Sequence, residues 1–230
     1  MLKKEGLFLM DSVEYPINRD IEYDKVSDSI RKGVILKELP DLTGRCKIWP
    51  AGVDTIYWSP EHRSSVKKQV LLFGKQDAGP IPATDKYKGI LSQKGYRVNT
   101  IKRGTDTFYT REEYKEALQN CSFMVGFSRS ESQGLAWVEA WSMDVPTFLW
   151  HNDTNIINGK IVRTSTAPYL TEQTGCFFNN ISDFEMLLDK WEAGRLNFSP
   201  RQWVLENMSD EVCARKLCVL AGIETNAAAI

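Results

Sequence analysis

Two glutamates eight residues apart, Glu131 and Glu139, bracket Gly134, which stands where an apolar, helix-forming run begins. A strand-like run closes at Phe127 and Ser128, and a polar loop, Arg129-Ser130-Glu131-Ser132-Gln133, joins it to the glycine. A helix start leaves backbone N–H groups without acceptors and carries the positive end of the helix dipole, so it suits a phosphate or another anion. At 1.5 Å per helical residue the two carboxylates lie at most roughly 12 Å apart along the axis. Two hydroxyl-binding carboxylates with amides between them could grip both ends of a nucleotide sugar. A solvated amphipathic helix shows the same bare pair of glutamates, so the pairing needs context.

The surrounding elements supply it. Residues 70–73 are a short apolar run ended by Gly74, the pattern of a buried strand. Residues 85–94 read as a helix that stops at Gly95, a natural C-terminal cap. Residues 96–101 alternate like a strand. Thr110 followed by Arg111-Glu112-Glu113 is a capping-box arrangement, and its helix runs to Asn120. A strand over 123–127, a helix over 135–143 and a strand over 147–150 follow. Residues 175–178 form a shorter strand, Ser182 caps a helix to about residue 193, and a last helix covers 201–220 with a break near Met208-Ser209. Strand–helix alternation predicts an α/β, Rossmann-like parallel sheet with right-handed crossovers and helices on both faces. Such sheets bind ligands beyond the carboxyl ends of their strands, so the loops after Phe73, Ile101 and Phe127 line one expected site.

With that context the residues resemble a known family. Glu131, Gln133-Gly134-Leu135, Glu139-Ala140 and Val145-Pro146 resemble the donor-site motif of retaining GT-B glycosyltransferases, E-x-F-G-L-x-x-x-E-A-x-x-x-G-x-P. Upstream, Trp49-Pro50-Ala51-Gly52-Val53-Asp54 resembles the P-x-G-V-D segment between their two domains, where Gly and Asp suit a tight turn. The likeness is strongest to the family 4, or group 1, type and covers residues 26–220. It implies transfer of a sugar from a nucleotide-diphosphate donor to an acceptor hydroxyl with retention, and no obligatory metal or other cofactor. Carried over residue by residue, Glu131 binds sugar hydroxyls, Glu139 holds the ribose hydroxyls, and Gly134 and Leu135 offer N–H groups to the distal phosphate. Lys75, just after the first strand, stands where the family places a cation on the diphosphate, though a surface lysine fits the sequence equally. Arg129 is a second phosphate candidate. Tyr109 either stacks on the base or packs. The trio Thr164-Ser165-Thr166 resembles the loop beside the donor phosphates.

Two departures qualify the likeness. Asp144 occupies a position where the family has Gly, so the turn differs or Asp144 takes a left-handed conformation. The chain also holds one Rossmann-like domain where the family has two. Residues 1–48, with an amphipathic helix over 23–39, read as a remnant of the acceptor-side domain plus linker, and 49–230 as the donor-binding domain. Such a remnant would leave the apolar Ile30, Val34, Ile35 and Leu36 without full cover. Either the chain is truncated or a second polypeptide supplies the acceptor domain. The alternative function is an inactive nucleotide-sugar-binding subunit of a two-chain transferase.

Composition narrows the partners. The 230 residues carry 29 Lys and Arg against 30 Asp and Glu, a formal charge of −1, without the basic excess of a nucleic-acid binder. No apolar run reaches the ~18–20 residues of a membrane span, and residues 1–10 lack a signal-peptide core. The chain reads as cytoplasmic, with peripheral membrane attachment left open. Five scattered cysteines and two histidines, His62 and His151, argue against a zinc site and for reduced thiols.

Overall fold

A computed structural model describes residues 49–63, 68–76, 81–104, 108–157 and 160–223. The expected remnant over residues 1–48, its helix over 23–39 and Cys46 lie outside these described residues. The core is a five-stranded parallel sheet built from β1 (Gln69–Lys75), β2 (Arg97–Arg103), β3 (Phe123–Phe127), β4 (Thr147–Trp150) and β7 (Gly175–Phe178). The strand order is β2-β1-β3-β4-β7, with β2 and β7 at the edges. Strand β3 is buried at every position, the mark of a strand covered on both faces.

Two hydrophobic clusters cover those faces. One joins Leu71, Phe73 and Met124 to Tyr114 and Leu118 of α2 (Arg111–Gln119), to Trp137 and Trp141 of α3 (Leu135–Ser142), and to Val204 of α5 (Pro200–Asn207). The other joins Val70, Leu72, Phe123 and Val125 to Tyr87 and Leu91 of α1 (Thr84–Gln93) and to Phe184 and Leu188 of α4 (Ile181–Glu192). Alternate strand residues thus feed opposite faces, as the two-residue period of a strand requires.

The elements agree closely with their sequence signals. The capping box at Thr110 is present: its hydroxyl accepts from Glu113 N, and the Glu113 carboxylate accepts from Thr110 N at 2.7 Å. The C-terminal helix breaks at Met208-Ser209, and α6 (Asp210–Ala221) restarts with Ser209 as its cap. Two expectations need correction. Asn180, not Ser182, caps α4, because its side chain accepts from Asp183 N at 3.0 Å. An antiparallel hairpin, β5 (Thr154–Ile157) and β6 (Lys160–Arg163), interrupts the βαβ pattern between β4 and β7.

The 49–54 segment docks on the start of α6. Val53 N donates to Met208 O and Asp210 N donates to Val53 O. A Cβ on Gly52 would stand 2.6 Å from Asp210 Cα, so only glycine fits this approach. Asp54 then turns the chain, its Oδ1 accepting from Ile56 N and Tyr57 N at 3.0 and 2.8 Å.

Candidate functional site

Parallel register decides what meets at the carboxyl ends of the strands. Gly74 of β1 lies opposite Phe127 of β3, so Lys75 and the loop after Phe127 emerge side by side. There Lys75 Nζ contacts Glu131 Oε2 at 2.8 Å. The glutamate side chain is only 6% exposed, and its other oxygen, Oε1, is buried with no hydrogen-bond partner among the described residues. A buried carboxylate oxygen without a donor is costly, and such an atom is a natural contact for a ligand hydroxyl.

The loop carrying Glu131 is held from three sides. Glu131 N donates to Ser165 O at 2.9 Å, which brings the 164–166 trio beside it. Gln133 Oε1 accepts from Ala51 N and from the Tyr169 hydroxyl, both at 3.2 Å, and so clamps the 49–54 segment to the loop. Arg129 Nε donates to Asn155 Oδ1 at 3.2 Å, and Asn155 Nδ2 donates to Ser130 Oγ at 3.0 Å. Asn152 Nδ2 adds a bond to Arg129 O.

Gly134 takes the left-handed conformation, φ 65°, and opens α3 without a side-chain cap. The first amides after it, Leu135 N and Ala136 N, have no acceptor among the described residues. Glu139 follows inside the helix, half-buried. Burial pushes its carboxyl up to about 7, against the opposing pull of the Arg111 guanidinium. Its neighbour Tyr109 packs edge-on against Phe73, with ring centroids 5.5 Å apart, and against Tyr114. Burial, then the Glu139 charge, raise the Tyr109 hydroxyl to about 12, so it stays protonated and can donate. The exposed aromatic next to it is Phe108.

Asp144 has φ 59°, so the residue at the family's glycine position does adopt the left-handed form. Its backbone oxygen accepts from Arg63, and its Oδ1 accepts from Arg201 N at 3.4 Å. Of the histidines, His62 is exposed at the end of a 3-10 turn, and His151 contacts Phe177 edge-on. Of the cysteines, Cys121 and Cys213 are free and buried, and burial raises both thiols. No group of three His, Cys, Asp or Glu among the described residues could hold a metal ion. None of the described helices is long and apolar enough to cross a membrane.

Gln133, Asn152, Asn155 and Arg111 are the site residues that sequence reasoning missed. Gln133 lay inside the quoted motif, but its acceptor role depends on segments 36 and 82 positions away.

A parallel sheet covered on both faces, with its polar cluster at the carboxyl ends, defines a Rossmann-like α/β domain, and solved structures specify the type. The fold is that of GT-B glycosyltransferases. The chain is similar to the lipopolysaccharide outer core galactosyltransferase WaaB, at 11% identity and TM-score 0.54 over 88% of this chain and 63% of that one. It is also similar to TarM (12%, TM-score 0.52, 85% of this chain and 42% of that one) and to a chain of the GtfA/B complex (12%, TM-score 0.51, 87% and 45%). The chain therefore spans less than two thirds of the length of each. No protein-family model matches the sequence, and no curated protein does.

Proposed function

We propose that this chain is the donor-binding half of a retaining, family 4-type glycosyltransferase. It would move a hexosyl group from a nucleotide-diphosphate sugar to an acceptor hydroxyl. The observation that carries this reading is Glu131, paired on one oxygen with Lys75 and left open on the other, three residues before an uncapped helix start. Glu131 Oε1 would accept a sugar hydroxyl, the free amides of α3 and the Lys75 and Arg129 cations would hold the diphosphate, and Glu139 would accept the ribose hydroxyls. Tyr109 would border the base.

Negative charge grows on the leaving phosphate as the anomeric C–O bond breaks, so the cations and amides aimed there would carry most of the catalysis. The departing phosphate oxygen would take the acceptor's proton on the same face as the new C–O bond forms. No flanking carboxylate pair of the glycosidase kind is needed. On this reading residues 1–48 are a remnant of the acceptor side, 49–230 the donor domain, and the setting is cytoplasmic.

A second reading is an inactive nucleotide-sugar-binding subunit of a two-chain enzyme. It is favoured by the likeness to a chain of the GtfA/B complex. Calorimetry with UDP, GDP and ADP tests the shared core of both readings. Glu139→Ala should weaken the preferred nucleotide by about tenfold or more, since a carboxylate hydrogen bond is worth roughly 1.5–3 kcal/mol. Glu131→Gln should spare the nucleotide and weaken only the sugar donor. Wild-type protein that binds none of the three nucleotides overturns both readings. Donor transfer or hydrolysis by the purified chain then separates enzyme from subunit.

A further inference from the structure

Among the described residues, strand β2 has a neighbouring strand only on its β1 side. Along its length runs an open groove of about 660 Å³, bounded by β2 on one side and α2 on the other. Because α2 returns antiparallel to β2, Arg97, Gln69 and Asn120 close one end while Lys102, Phe108 and Tyr109 form the other. Seven strand residues at about 3.3 Å each make the groove roughly 20 Å long. Nothing assigned to the donor site uses it, apart from Tyr109 at its mouth.

The lining chemistry selects the ligand. Two cations, Arg97 and Lys102, face two carboxylates, Glu113 and Glu116, so the groove has no net charge to recruit an anion or a cation. Besides the Lys102 ammonium and the Thr100 hydroxyl, its polar groups are planar amides, carboxylates and a guanidinium, which pair bidentately with vicinal hydroxyls. Asn99 and Glu116 make no side-chain hydrogen bond with any described residue, whereas Gln69 is held by Arg97 at 2.8 Å. Phe108 is 78% exposed, a large apolar face at the end of a groove whose walls are more polar than apolar. Polar planar groups with one open aromatic ring suit a sugar, which has hydroxyl edges and apolar C–H faces.

A strand from another polypeptide is the rival occupant, and β2 is poorly suited to it. Three of its seven residues, Arg97, Lys102 and Arg103, are cations, a composition that blunts edge pairing. Antiparallel pairing with a second copy would set these cations against one another.

We propose that the β2–α2 groove binds a neutral oligosaccharide, entering at the Tyr109 end beside the donor site. The proposal rests on the glycosyltransferase reading for its biological sense, since the groove would hold the glycan being extended. Its binding chemistry stands on the groove alone.

The test is saturation-transfer NMR of the purified chain with linear tetrasaccharides of glucose, galactose and mannose, beside a nucleoside diphosphate titration. At least one tetrasaccharide should show contact, and Phe108→Ala and Asn99→Ala should each weaken it by about tenfold, the loss of one stacking or hydrogen-bond contact. Nucleotide affinity should not change in either variant. Glu116→Gln, on an exposed helix face, serves if another variant fails to fold. No contact from any tetrasaccharide overturns the proposal, as does contact that survives all three substitutions. A dimer in sedimentation that Phe108→Ala dissociates also overturns it and assigns the groove to a second copy. Oligosaccharide contact without nucleotide binding leaves the groove standing and removes the donor-site reading instead.

Discussion

Lys75 and Glu131, 56 residues apart in sequence, meet at 2.8 Å because β1 and β3 are adjacent parallel strands. The carboxylate is buried, and the ammonium is its one side-chain partner among the described residues, so each substitution has a different cost. Lys75→Ala leaves a buried charge uncompensated and should cost about 3 kcal/mol. Adding Glu131→Gln removes that charge and should restore more than half of the loss. Urea melts of the two single variants and the double variant measure the coupling. Additive losses would show that the pair contributes nothing as a pair.

Glu139 makes folding depend on pH in a definite direction. Its carboxyl sits at about 7 in the folded chain against an ordinary 4.5, so the native state holds its proton more tightly. Stability from this group is therefore full below pH ~4.5 and falls as pH rises to about 7, by at most about 3 kcal/mol. Glu139→Gln should match wild type at pH 5 and exceed it at pH 8 in chemical denaturation. Equal gains at both values would assign the effect to packing.

The same burial shows why much of the fold was legible and parts of the site were not. Strands β1 and β3 announce themselves because both faces are covered, which forces continuous apolar runs such as Phe123–Phe127. The break at Met208-Ser209 was legible because a serine cap followed by Asp210 and Glu211 restarts a helix. The β5–β6 hairpin carries an Asn158-Gly159 dipeptide, a strong two-residue turn signal, but the flanking strands are short and half polar. Glu131 and Glu139 were legible as types at a spacing. Their partners Lys75 and Arg111 come from other elements, and only the folded arrangement of strands and helices brings them together.

Gly134 should resist substitution by alanine. A left-handed alanine costs about 1–2 kcal/mol, and its Cβ would also lie 2.6 Å from Trp137 Cδ1. Trp137 cannot retreat freely, because its indole N–H donates to Thr166 O at 2.9 Å inside the core. The combined loss should be about 2–4 kcal/mol with a shifted tryptophan emission, the overpacking share being about 1–2 kcal/mol. A loss below 1 kcal/mol by thermal melting would mean that the loop re-forms with another backbone.

Asp144 tests strain against hydrogen bonding at one position. Its φ of 59° disfavours most side chains, while its carboxylate serves Arg201 N and stands 3.9 Å from Arg63. Glycine should relieve the strain and lose these contacts, for a net change within about 0.5 kcal/mol. Alanine keeps the strain and loses the contacts, and should cost about 1–2 kcal/mol. Differential scanning calorimetry of both variants decides it. Equal destabilisation would show that the contacts, not the backbone, set the preference.

Asn155 fastens the hairpin to the loop that carries Glu131. It accepts from Arg129 Nε and donates to Ser130 Oγ, the two residues just before the glutamate. Removing both bonds frees a surface strap without opening the core, so global stability should fall by only about 1 kcal/mol. The loop should feel it more sharply. The Glu131 amide, bonded to Ser165 O at 2.9 Å, should exchange with deuterium about tenfold faster in Asn155→Ala, while Leu71 and Val125 amides stay unchanged. Asn155→Asp keeps an acceptor for Arg129 and loses only the donor to Ser130, so its exchange rate should fall between the two. Unaltered Glu131 exchange in the alanine variant would show that Gln133 and Ser165 suffice to order the loop and that the hairpin plays no part in placing the carboxylate.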